Sequence, residues 1–334
     1  ADNATAIAVD SNIVLNFSEA VDAESGNIVI YKTSDNSTIE TIAVTSGQVT
    51  GTGTSQITIN PGSDFSSSTE YYVQIAATAF DDSSSNSYAG ISDTTSLSFT
   101  SADTTAATLS SSTPADDATA IAVDSNIVLN FSEAVDVESG NIVIYKASDD
   151  STVETIAVTS GQVTGTGTSQ ITINPGSNFS SATEYYVQVA ATAFDDAAGN
   201  SYAGISDTTS LSFTSADTVN PALNSSSPAD NATAIAVGSN IVLNFSEAVD
   251  VESGNITIKK TSDNSTIETI DVTSGQVTGS GTSQITINPG SNFSSATEYY
   301  VQIAATAFDD SSSNSYAGIS DTTSLSFTSA DTVN

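Results

Sequence analysis

The chain has 334 residues, 39 of them Asp or Glu and four of them Lys, for a formal charge of −35 at pH 7. That balance excludes a nucleic-acid binder, which needs a basic footprint, and disfavours docking on an anionic membrane. His, Cys, Met and Trp are absent, and Lys32, Lys146, Lys259 and Lys260 are the only basic side chains, so imidazole and thiolate catalysis, a conventional zinc site and an arginine clamp are excluded as well.

The text repeats. Asp2, Asp116 and Asp230 open the same passage, each 114 residues after the last, and residues 2–103 differ from 116–217 at only eleven positions. Such self-similarity divides the chain into 1–103, 104–217 and 218–334, and it reads as a piece of a longer array. In the middle copy an edge segment is expected at 107–112. Ile127-Val128-Leu129-Asn130-Phe131 then places Ile127, Leu129 and Phe131 on one face of a strand, and Asn141–Tyr145 does the same with Ile142 and Ile144. Further strands are expected around 155–158, 170–173, 185–191 and 211–214. Gly161, Gly165, Gly167, Pro175-Gly176 and Gly199-Asn200 supply the turns between them. No stretch carries a 3.6-residue period, so almost no helix is expected. No run of 18 apolar residues is present to span a bilayer, and no signal peptide is expected within these residues. The fold class is all-β: three tandem Ig-like β-sandwich domains of about seven strands each, in an extended rod. Tyr185, heading the sixth strand, suits either a corner tyrosine or a plain core residue.

Three passages of the middle copy carry a family resemblance. Residues 114–123 (Pro-Ala-Asp-Asp-Ala-Thr-Ala-Ile-Ala-Val), 130–136 (Asn-Phe-Ser-Glu-Ala-Val-Asp) and 193–200 (Ala-Phe-Asp-Asp-Ala-Ala-Gly-Asn) resemble the bacterial Ig-like domains of the SbsA type, as does the closing 211–217. Such modules recur in S-layer proteins and in giant RTX-type surface adhesins. The resemblance covers every copy and implies a secreted, cell-surface protein in adhesion or biofilm formation. Copies one and three depart from it, with Ser85 and Ser313 where copy two has Gly199, which puts the turn there in question.

The carboxylates gather at particular places. Glu133 and Asp136 follow the second strand, and Asp195, Asp196 and Asn200 follow the sixth. In an Ig-like sandwich these two loops share one end, where the linker carrying Asp103 also arrives. Crowded carboxylates repel by about 4 kcal/mol per pair at 4 Å for an effective dielectric near 20, and a hard cation relieves this. Calcium, which takes six to eight oxygens, fits better than magnesium. By the same reasoning Glu247, Asp250, Asp309, Asp310 and Asn314 meet Asp217 at the second junction. The first copy keeps Glu19, Asp22, Asp81 and Asp82 without an incoming linker. An ordinary solvated acidic loop, or calcium held within one domain, remains open. Asp10 and Asp124 become Gly238 in copy three and are poor ligand candidates, and the Asn-x-Ser/Thr sequons are read as coincidental.

Near-identical copies favour a structural extender over an enzyme, because a spacer needs length rather than individual sites. Its partners would be the adjacent repeats of the same chain, with no nucleic acid, no membrane insertion and a monomeric state. The alternative is a carbohydrate- or surface-binding module repeated for avidity, which calls for an exposed aromatic platform. Tyr31 and Tyr145 are outward candidates, but Lys259 replaces them in copy three. A carboxylate-pair glycosidase is the remote third reading.

Overall fold

The computed structural model describes residues 2–332. The middle repeat contains ten strands: β1 (Leu109–Thr113), β2 (Ala118–Ile121), β3 (Ile127–Val137), β4 (Asn141–Lys146), β5 (Ser151–Ala157), β6 (Val163–Thr164), β7 (Thr168–Ile173), β8 (Glu184–Val189), β9 (Phe194–Asp196) and β10 (Ser212–Ser215). One sheet has the order β1-β3-β7-β6, with β9 also paired to β3; the other runs β2-β10-β8-β4-β5. Ladders are antiparallel except between β2 and β10, which run parallel. No helix occurs among the described residues.

Period-two alternation makes these strands two-faced. Ile127, Leu129, Phe131 and Val135 of β3 are buried, as are Ile142 and Ile144 of β4, Ile171 and Ile173 of β7, and Val187 and Val189 of β8. Each such side chain contributes about 1.5–3 kcal/mol on leaving water, so the two inner faces hold the sandwich together. Ten strands form where about seven were expected. The additional ones, β2, β6 and β9, are two to four residues long and lack an apolar alternation of their own. Pairing, not propensity, makes them strands.

Tyr185 is a corner tyrosine. Its buried hydroxyl accepts the Ser180 N–H at 2.8 Å, and Tyr71 with Ser66 and Tyr299 with Ser294 repeat the bond. The outward tyrosines are half-exposed and paired: Tyr31 stacks on Tyr72 and Tyr145 on Tyr186, each at 4.9 Å between ring centres. The described part of the first repeat starts at Asp2 and contains no counterpart of β1. Its strand Ile13–Ala23 accordingly leaves Leu15 and Phe17 half-buried, whereas Leu129 and Phe131 are buried.

Candidate metal centre

The acidic segments expected as loops are paired strands. Glu133 and Asp136 lie inside β3, which continues to Val137, and Asp195 and Asp196 lie in β9. The ladder between them sets Val135 against Asp196, Asp136 against Asp195 and Val137 against Phe194. Side chains on paired strands alternate between faces, so the carboxylates must divide. Glu133 shares a face with Phe131 and Val135, and Asp196 shares one with Phe194. Asp136 and Asp195 oppose each other on the outer side, where Asp136 Oδ1 accepts the Thr166 hydroxyl at 3.1 Å.

What converges is therefore a smaller set. Carboxylate oxygens of Asp103, Glu133 and Asp196 lie within 4.8 Å of one another, and those of Asp217, Glu247 and Asp310 do the same at the second junction. Asp136, Asp195, Asp250 and Asp309 are outside both groups. In the first copy Glu19, Asp22, Asp81 and Asp82 join no such group among the described residues.

Each member is held differently. Asp103 comes from the linker, and Ser67 of the preceding repeat fixes it: the Ser67 hydroxyl donates to Asp103 Oδ1 at 2.8 Å, and Thr104 N–H donates back to Ser67 Oγ at 2.9 Å. The Thr105 N–H also reaches Asp103 Oδ1, and this bond, followed by the Ser67 hydroxyl, lowers the Asp103 pKa. Ser181 holds Asp217 in the same way, and the Val219 N–H leads in lowering its pKa. Asp196 is buried and accepts the N–H groups of Ala198 and Asn200 on Oδ1 and the Asn200 amide on Oδ2. The Asn200 amide also donates to the Asp103 carbonyl at 3.3 Å, and Asn314 bonds Asp217 likewise at 3.2 Å. A direct, metal-independent link thus crosses each junction.

Glu133 has no such support. Among the described residues nothing donates a hydrogen bond to its carboxylate; burial first, then the negative charges of Asp103 and Asp196, push its pKa above 4.5. Glu247 repeats this with Asp217 and Asp310. In the third repeat, Asp309 Oδ1 is also buried without a partner.

The donor set fits a hard cation. Oxygens bound to one calcium at about 2.4 Å can lie no more than about 4.8 Å apart, and carboxylates, carbonyls and amide oxygens are its usual ligands. Asp103, Glu133 and Asp196 would hold it; Asn200 and Asn314, expected as ligands, instead turn their amide nitrogens to Asp196 and Asp310 and to the linker carbonyls, and so support the carboxylates rather than join them.

The turn that presents Asn200 survives the loss of glycine. Gly199 has φ 85°, and Ser85 and Ser313 keep 60° and 66° with the same backbone bonds, Ser85 N–H to Asp82 O and Ser313 N–H to Asp310 O. Sequence reasoning missed Ser67 and Ser181, which lie 36 residues before the aspartates they hold; serine is too common here for anything but the fold to single them out.

The sequence profile of the bacterial Ig-like domain matches residues 1–101, 103–215 and 217–329. The chain is a tandem of three bacterial Ig-like domains. No curated protein matches it. Similar solved structures include the extracellular domains 3–5 of Drosophila OTK (9% identity, TM-score 0.24, 99% of this chain and 95% of that one). The S-layer protein rSbsC(31-844) matches at 10% identity and a TM-score of 0.23, over 100% of this chain and 54% of that one. A biofilm-associated protein BSP domain matches at 10% and 0.19, over 99% and 62%. Membership of the family rests on the profile match.

Proposed function

We propose that these Ig-like domains form a spacer within a secreted bacterial surface adhesin, and that calcium at the two interdomain linkers stiffens it. Glu133 carries the reading. A half-exposed carboxylate to which no protein group among the described residues donates, facing two other carboxylates from both sides of a domain junction, is repelled by about 1–2 kcal/mol unless a cation joins them. The ligands divide between linker and following domain, so binding would restrain the angle between domains rather than merely stabilise one of them. Calcium is the ion of choice because the donors are all oxygen and hydrogen bonds already orient two of the three carboxylates. The domains would act as one another's partners within a monomer, holding a more distal adhesive region away from the cell.

The test is calorimetric. Titration of the chelated protein with calcium should show two equivalent sites and melting raised by several degrees, with magnesium much weaker. A flat titration, with unchanged melting, would remove calcium from the account.

A further inference from the structure

Beyond the linkers, the strand order of each repeat specifies where tension is borne. We infer that the parallel pair β2–β10, fastened by Asp116 to Ser212, is the force-bearing clamp of the middle repeat, with Asp2 and Asp230 as the fasteners of its neighbours. The inference rests on the spacer reading only for its purpose; its geometry is independent of calcium.

The chain enters the middle repeat at Asp103 and leaves at Asp217, so β1 and β2 meet an incoming pull first and β10 meets the outgoing one. Because β2 and β10 are parallel, pulling the start of one away from the end of the other slides them along their common axis. Every bond between them is then loaded together. An antiparallel hairpin pulled at its adjacent ends opens one bond at a time and resists far less. β1 bonds to the other sheet, from Leu109 opposite Phe131 to Thr113 opposite Val128, and if it detaches the load passes through Pro114 and Ala115 directly to Asp116.

The pair is thin in the middle and tied at both ends. Its register slips between Ala118 and Ile121, and Ala120 lies at φ 55°, so few ladder bonds form there. At the start, Asp116 Oδ1 accepts the Ser212 N–H at 2.8 Å and lies 3.0 Å from the Ser212 hydroxyl, across 96 residues of sequence. At the finish, Ala216 N–H donates to the Ile121 carbonyl at 2.7 Å. Asp2 with Ser98 and Asp230 with Ser326 repeat the first tie, and Ala102 to Ile7 and Ala330 to Ile235 repeat the second. A charge-assisted bond is roughly twice as strong as a neutral one, so the aspartate is the strongest single fastener of the pair. None of these residues belongs to either carboxylate cluster.

The experiment is single-molecule force spectroscopy of the whole chain held by its ends, in calcium and in chelator. Wild type should give three unfolding events, each releasing roughly 350 Å: about 110 residues at about 3.5 Å each, less the roughly 40 Å that the folded domain already spans. Asp230→Ala should make one event in three about tenfold faster at a fixed force, in calcium and in chelator alike. Asp321→Ala is the control: Asp321 receives its bonds from Thr323 and Ser324 within one loop and ties no strands together, so it should lower the melting temperature without speeding forced unfolding. Should the alanine variant lose its third event through misfolding, Asp230→Asn, which keeps an acceptor but not the charge, should still give a several-fold effect. Unchanged kinetics in the folded variant, or equal acceleration by Asp321→Ala, would overturn the clamp. An effect of Asp230→Ala that persists in chelator, together with no response of the junctions to calcium, would keep the clamp and reject the calcium spacer.

Discussion

Replacing Glu133 with glutamine removes one of three like charges at the first junction while keeping the side chain's size. The consequence should reverse sign with calcium. Two unit charges about 4.8 Å apart repel by about 3.5 kcal/mol at a dielectric of 20 and about 0.9 kcal/mol at that of water. Glu133 is half-exposed, so the lower figure applies more closely, and relief from Asp103 and Asp196 together comes to about 1–2 kcal/mol. In chelator, Glu133→Gln should therefore melt roughly 5 °C above wild type. In calcium at a hundredfold excess over its Kd, wild type gains about 2.7 kcal/mol through ligand binding, and the variant, lacking a charged ligand, gains much less. The two melting curves should then exchange order. Asp136→Asn, at the carboxylate that alternation turns outward, should show no exchange. Scanning calorimetry of the three proteins in both buffers is sufficient. A variant that melts above wild type in both conditions would refute the argument that the cluster exists to hold a cation.

Other outcomes follow from the same geometry. In chelator, the raised pKa of Glu133 and Glu247 means the folded state holds their protons more tightly, so stability should rise as pH falls from neutral towards about 4.5, as denaturant midpoints can show. Below 3.8 the opposite sign takes over: Asp103 and Asp217 have lowered pKa values, as does Asp207 at about 2, where the Ser210 hydroxyl leads, and their contribution is lost as they protonate. Ser313→Gly should stabilise the third repeat by about 0.5–1 kcal/mol, because a positive φ strains serine and not glycine, and a Cβ at the equivalent Gly199 meets nothing; loss of stability there would contradict it. Tyr185→Phe should cost the middle repeat about 1–2 kcal/mol in chemical denaturation, since the buried Ser180 N–H loses its acceptor.

Much of this was legible in the residues. The 114-residue period and the alternation of Ile127, Leu129 and Phe131 determine the sandwich, and placing two acidic segments at one end of it led to Asp103, Glu133 and Asp196. The division of the carboxylates was hidden because a strand continuing past Phe131 looks, in sequence, like a loop: Ser132 to Asp136 has no apolar alternation beyond Val135. Only the pairing of β3 with β9 gives that stretch a parity, and parity sends Asp136 and Asp195 outward. The strand β2 was hidden for a related reason. Ala-Thr-Ala-Ile bears no strand signature, and its hydrogen bonds come from a partner almost a hundred residues away.

Small-angle scattering of the 334-residue chain, in calcium and then in chelator, separates domains locked by calcium from domains that swing. An eleven-residue strand such as β3 spans about 36 Å, and with loops each domain measures roughly 35–45 Å, so three aligned domains reach on the order of 110–130 Å. With calcium the maximum dimension should lie in that range with a narrow spread. Chelation, or Asp103→Ala at the first junction alone, should broaden it while each sandwich stays folded. Scattering unchanged by either would contradict calcium as the lock between domains and leave direct contacts such as Asn200 to Asp103 to set the angle.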